Sequence, residues 1–236
     1  TLTLRALEKY TGAKELAKLE RPGEFFDFTR YRPRMTDLQD GKRLVIPNSD
    51  INYVHDPNTG RDFMFLHLRE PHNMAEDYSE SVTDLLRYFN VTDYCRIGAM
   101  YDVVPHTRPL LVTGTLSDEQ LSRVGELVSP RMGKYKGPTS IVNMVTDALD
   151  RLNVGTTSLM VHAPQYAQLE EDHMGTFHLI EVLCAMYGFP SSLADSSVGE
   201  RQYKDLSGVV ENNPEAKLLV RQLEAEYDRD RHNLST

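Results

Sequence analysis

The sequence predicts an α/β protein in which a mostly parallel or mixed sheet carries helices on both faces. Three observations predict it. Short β-rich runs alternate with helix-spaced segments along the chain. A single antiparallel hairpin is inserted among them, marked by Asp56-Pro57-Asn58-Thr59-Gly60 between two apolar runs. Residues 174–187 (MGTFHLIEVLCAMY) are apolar nearly all round, as a helix sandwiched between other layers is.

In order along the chain, Leu4, Leu7, Leu16 and Leu19 interleave with charged residues and predict an opening helix. It starts at Thr1 without methionine, so upstream residues are expected in the full protein. Residues 24–35 (EFFDFTRYRPRM) read as a short aromatic strand and a proline-limited turn, and Leu44–Ile46 as a run ended by Pro47. Asn52–His55 and Phe63–Leu68 are the hairpin strands. Val82, Leu85, Leu86 and Phe89 have helical spacing. Residues 96–104 and 110–113 are β-rich, and Ser117-Asp118-Glu119-Gln120 has the form of a capping box opening a helix to Val128. Between 139 and 152, Ile141, Val145, Ala148, Leu149 and Leu152 share one face, opposite Asn143, Asp147, Asp150 and Arg151. Ser158–Val161 is a short buried strand. Gly188 and Pro190 stop the apolar helix. Pro214 opens a last helix carrying Leu219, Leu223 and Tyr227. No linker divides the chain clearly. The expected organisation is a main domain over 1–190 and a helical appendage over 191–236, with 194–213 the best candidate for a lid.

Composition narrows the function classes. Of 236 residues, 40% are apolar and 26% charged, enough for a packed core and against wholesale disorder. The net charge of −9 disfavours a phosphate backbone as partner, so no nucleic acid is expected. No apolar run is long enough for a membrane span and no leader is visible, so no membrane association is expected. Cys95 and Cys184 lie far apart with no CxxC, which fits a reducing cytoplasm.

Ligands of open α/β sheets bind beyond the carboxyl ends of the strands. Three expected strand ends each deliver a histidine near a proline: Glu70-Pro71-His72, Pro105-His106-Thr107-Arg108 and His162-Ala163-Pro164-Gln165-Tyr166. A fourth segment, Gly133 to Ser140, leads into the strongest amphipathic helix, whose start presents N–H groups and a positive dipole end. The candidate ligand-binding residues are therefore Glu70, His72, His106, Arg108, Tyr135, Gly137, Thr139, Ser140, His162 and Tyr166. Each has a plainer alternative. A histidine after a strand is more often a hydrogen-bonding turn residue than a catalyst, and Thr139 or Ser140 is most simply a helix cap. No Walker A loop or GxSxG elbow occurs, and no nucleophile stands out, so catalytic residues and enzyme status stay open. Glu70 with the three histidines lacks tight ligand spacing, so neither a metal nor a cofactor is expected.

Val104-Pro105-His106-Thr107-Arg108-Pro109, Val112-Thr113-Gly114, Tyr135-Lys136-Gly137-Pro138-Thr139-Ser140-Ile141 and His162-Ala163-Pro164-Gln165-Tyr166 occur in this order. The ordered set resembles the PAC2 family, named after a proteasome assembly chaperone, from the first helix to about Gly188. The resemblance implies a three-layer α/β/α sandwich of nucleoside-phosphorylase type, followed here by C-terminal helices. It also implies homo-oligomers, trimers or higher. Some archaeal relatives dock on proteasome subunits through a hydrophobic–tyrosine–any-residue tail, which Asn233-Leu234-Ser235-Thr236 does not match.

Two functions are expected in order. The first is an oligomeric binding or assembly protein, chaperone-like, with a protein partner and a polar pocket at the strand ends. The second is a small-molecule enzyme or sensor for an anionic ligand, nucleoside-like or a carboxylate, with His106 or His162 as acid/base, Glu70 orienting it and Arg108 as an anion clamp.

Overall fold

The computed structural model describes residues 1–38, 41–129 and 139–234. In chain order its first elements are α1 (Leu2–Thr11), β1 (Lys14–Lys18), β2 (Arg34–Leu38), β3 (Gly41–Val45), β4 (Asp50–Asp56), β5 (Arg61–His67) and α2 (Ala75–Tyr88). There follow β6 (Asp93–Asp102), β7 (Val112–Thr115), α3 (Asp118–Val124), α4 (Ile141–Arg151), β8 (Gly155–Pro164), α5 (His173–Tyr187), α6 (Ser197–Glu211) and α7 (Pro214–Leu234). The chain divides into two compact units.

The first unit holds Glu8–Tyr94 and the residues around α4. Its sheet has the order β1-β4-β5, antiparallel throughout, with a bulge in β1 between Glu15 and Ala17. The β4–β5 turn forms because Asp56 gathers donors: its carboxylate accepts from the N–H and side chain of both Asn58 and Thr59. Burial alone would raise the Asp56 carboxyl, yet these donors outweigh it and hold the pKa below the usual value. Gly60, with φ 66°, closes the turn where a side chain would be strained. The strands β2 and β3 form a separate two-stranded ribbon. Helices α2 and α4 pack together. Tyr78, Val82 and Leu86 of one meet a core shared with Ile141, Val145 and Leu149 of the other, with Phe26 and Tyr94. Burying each such side chain contributes about 1.5–3 kcal/mol. The Tyr78 hydroxyl keeps a partner there, 2.6 Å from Ser49 Oγ.

The second unit holds Leu2–Leu7, the described residues from Cys95 to Ser129, and Thr157 onward. Its sheet has the order β6-β8-β7. β7 runs antiparallel to β8, from Val112↔Val161 to Thr115↔Ser158. β6 lies parallel to β8: Gly155 N–H bonds Thr92 at one end and Gln165 N–H bonds Asp102 at the other. Gly114 is required in β7, since a Cβ there would stand 2.2 Å from the Ser158 carbonyl oxygen. The capping box of α3 forms as expected, with Ser117 and Gln120 bonded reciprocally. α5 packs against both α3 and α6, which accounts for its all-round apolarity. The class is thus the expected one, α/β with a mixed sheet.

Several local expectations need correction. The opening helix stops at Thr11, because Gly12 adopts φ 73° and its N–H bonds back to Glu8, leaving Leu16 in β1 and Leu19 beyond it. Residues 24–28 form no strand. The Asp27 carboxylate accepts from the N–H and hydroxyl of Thr29, and that local turn competes with extended pairing. The strand there begins only at Arg34, after Pro33. β8 runs to Pro164, so His162 lies within it rather than after it. The buried stripe of α7 includes Val220 and Leu223, while Leu219 faces outward.

Candidate functional site

The candidate residues fall into two groups, one in each unit. In the first unit Glu70, His72, Thr139 and Ser140 lie near the start of α4 or the turn after β5. The α4 N-terminus is capped, but not by its own neighbours. Ser140 makes no side-chain cap bond, and Thr139 Oγ1 accepts from Asn143 instead. Glu70 Oε1, 71 residues earlier in the chain, accepts from Ile141 N–H at 2.8 Å. A carboxylate of the chain itself thus takes the place an anion would occupy at a helix start. His72 is fixed by its backbone N–H on the Phe25 carbonyl and by Nδ1 accepting from Asp27 N–H. It lines an open cleft of about 450 Å³ with Phe26, Asp27, Phe28, Arg30 and Asn73. Tyr135 and Gly137 lie outside the described residues.

In the second unit His106 and Arg108 follow β6 and meet Tyr166 and the α7 acids respectively, while His162 lies within β8 near its end and bonds Asp102 and Thr113 instead. Tyr166 follows β8 and reaches the loop after β6. Its Oη accepts from His106 N–H at 2.8 Å and lies 2.5 Å from His106 Nδ1. His106 Nε2 is 3.0 Å from Ser207 Oγ of α6, and that hydroxyl donates to the Tyr203 carbonyl. These directions assign the tautomer: Nε2–H donates to Ser207, and Nδ1 accepts from the Tyr166 hydroxyl. A second proton on Nδ1 would oppose that donor. Burial lowers the His106 pKa further, against a smaller raising effect of Glu224. His106 is therefore held neutral.

Arg108 Nε and Nη2 meet both carboxylate oxygens of Asp228 at 2.9 and 2.8 Å, and Nη1 reaches Glu224 at 3.2 Å. Thr107 Oγ1 donates to Glu224, and the Tyr227 hydroxyl to the Pro109 carbonyl. The loop 105–109 is thus the seat on which α6 and α7 are fastened.

His162 sits on the central strand and joins both neighbours. Its Nδ1 is 2.7 Å from Asp102 Oδ2 on β6, and its Nε2 is 2.8 Å from Thr113 Oγ1 on β7. Hydroxyl, imidazole and carboxylate stand in the order of an acyl-transfer triad. Thr113 and His162 are only 7% and 8% exposed. The array is a polar strap across three strands. Among the described residues no three His, Cys, Asp or Glu side chains gather as a metal site requires.

Sequence reasoning missed Asp102, Thr113, Tyr203, Ser207, Glu224 and Asp228. A partial signal existed, since Tyr203/Ser207 and Glu224/Asp228 are each four residues apart and share a helix face. Nothing local says which loop those faces meet.

Comparison with known proteins agrees with this architecture. The model of the PAC2 family matches residues 1–197. No curated protein matches the chain. Among solved structures, a PAC2 family protein from Streptomyces avermitilis is similar at 21% identity and TM-score 0.78, covering 93% of this chain and 92% of its own. A proteasome-assembly chaperone homologue from Mycobacterium tuberculosis has 19% identity and TM-score 0.78, with 92% of each chain covered. An archaeal proteasome activator from Pyrococcus furiosus has 12% identity and TM-score 0.67, covering 89% of this chain and 86% of its own.

Proposed function

The chain belongs to the PAC2 family, and from that premise we propose that it is a chaperone-like, homo-oligomeric assembly protein of the cytoplasm that binds a protein partner at the ends of β6 and β8. The supporting observation is how its strand-end groups are engaged. Arg108 is chelated by Glu224 and Asp228, and His106 is held neutral between Tyr166 and Ser207. Groups committed to intrachain bonds hold a surface in shape. The names of the mycobacterial and archaeal relatives support the same reading. No helix among the described residues is long and apolar enough to cross a membrane.

The test is the mass of the purified protein by light scattering, together with crosslinking to partners in the source cell and mass spectrometry of the products. The expected result is a multiple of 26.9 kDa and a partner crosslinked through residues 103–109 or 165–168. A 26.9 kDa monomer with no crosslinked partner overturns the reading.

A second reading, a small anionic ligand, rests on the cleft carrying Arg30 and His72. Thermal shifts with phosphate, nucleotides and carboxylates test it. A ligand at 100 times its Kd adds about 2.7 kcal/mol, and a flat panel removes the reading.

A further inference from the structure

Among the described residues the β2–β3 ribbon is paired only with itself. Arg34–Asp37 and Gly41–Ile46 are all exposed, and Met35 and Leu44, opposite each other across the ladder, are 60% and 53% exposed. Val45 and Ile46 add two more apolar side chains at 46% each. A lone two-stranded ribbon in water is marginally stable at best, and apolar groups clustered this way mark an interaction surface. The charges on the ribbon indicate what covers it. Over residues 34–46 Arg34, Lys42 and Arg43 stand against Asp37 and Asp40, a net charge of +1 in a chain whose net charge is −9. Arg34 lies opposite Val45 and Arg43 opposite Thr36, so both cations and Val45 share one face.

The outer face of α2 carries the converse. Glu76, Glu80, Asp84 and Tyr88 recur at four-residue steps, forming one exposed stripe of three acids ending in a ring that is 80% exposed. Asp77 lies beside it, and Met74 and Phe89 are exposed at its ends. Asp84 pairs with Arg87, but Glu76, Asp77 and Glu80 form no ion pair among the described residues, and neither do Arg34, Lys42 and Arg43. The pitches also agree. The acids on α2 are about 6 Å apart along the helix axis, and diagonal cations on the ribbon face about 7–8 Å apart.

We propose that the β2–β3 ribbon of one copy docks on the acidic stripe of α2 of a second copy, with Arg34 and Arg43 facing Glu76, Glu80 and Asp84 and Val45, on the same ribbon face, covered beside Tyr88 and Phe89, while Met35 and Leu44 lie on the other face. Each copy offers one ribbon and one stripe, so the contact closes either by exchange between two copies across a twofold axis or as a larger head-to-tail ring. This inference rests on the oligomeric reading above and names the surface that builds the oligomer.

Light scattering on three variants tests it. Arg34→Glu/Arg43→Glu reverses the ribbon, Glu76→Lys/Glu80→Lys reverses the stripe, and the fourfold variant carries both reversals. All mutated side chains are exposed, and circular dichroism verifies folding. Each single-face reversal is expected to weaken association about a hundredfold or more, because like charges then face each other, and to leave a 26.9 kDa species. The fourfold variant is expected to reassemble. An oligomeric parent whose mass neither reversal changes overturns the ribbon–stripe contact and leaves the assembly reading standing, with the ribbon free for another protein. Dissociation by both reversals without rescue in a folded fourfold variant also overturns the pairing. A monomeric parent overturns both.

Discussion

Replacing Tyr166 by Phe keeps the ring against His106, whose centroid lies 5.7 Å away at an interplanar angle of 71°, and removes one oxygen. That oxygen serves two polar atoms of a residue only 5% exposed: it accepts from His106 N–H and donates to Nδ1. A buried polar atom left without a partner costs about 1–3 kcal/mol. Two of them, with some water recovery, give a loss of about 2–4 kcal/mol, a large fraction of the stability of an ordinary domain. At about 2–4 °C per kcal/mol for a chain of this size, Tm should fall by roughly 5–15 °C. Urea unfolding at pH 8, followed by circular dichroism, measures the loss. NMR titration of the His106 ring gives an independent check: without the Tyr166 hydroxyl aimed at Nδ1, its pKa should move up from its lowered position. A loss below about 0.5 kcal/mol, the size of an ordinary surface substitution, together with an unmoved His106 titration, would refute both the bonding pattern and the tautomer.

Stability should rise with pH from mildly acid conditions. The folded pKa of His106 lies below the ordinary value of about 6.5, so between the two the unfolded chain binds more protons. The contribution is complete above the ordinary value and is lost as pH falls below it towards the folded value; His178, also lowered by burial, acts in the same sense. Urea midpoints between pH 5 and 8 should show this slope, and His106→Gln should flatten it; an equal slope in that variant sets the account aside. Gly199→Ala places a Cβ 2.8 Å from the Met174 Cα and N, so α6 must retreat from α5 at a cost of about 1–3 kcal/mol. An unchanged Tm would show that the approach is looser than described. Glu70→Ala removes the cap on α4 and should cost about 1 kcal/mol, while Glu70→Gln keeps an acceptor for Ile141 N–H and should lose less. Equal losses in denaturant titrations would mean that charge, not the hydrogen bond, carries the effect.

The features legible without coordinates were those written within a few neighbouring residues. Ser117 and Gln120 announce the start of α3, Asp56 to Gly60 a turn, and Ile141, Val145 and Leu149 the buried face of α4, because caps, turns and periodicity act over one or two helical turns. The ordered motifs around His106, Thr139 and His162 pointed to the family for a similar reason: they are short and keep their order. Failures arose where two local signals competed. Gly12 overrode the leucine spacing that continued past it, and Asp27 bent an aromatic run that composition assigns to a strand.

What the tertiary structure alone decided is the purpose of each polar side chain. That Glu70 caps a helix 71 residues away, that His106 meets Ser207, and that Arg108 grips Asp228 are matters of topology. A hydrogen bond needs its partner within about 3 Å, and across separations of 60 to 120 residues only the packed chain brings two atoms that close. The amino-acid order determined which chemistry was on offer, and the fold determined that most of these groups bind the protein to itself.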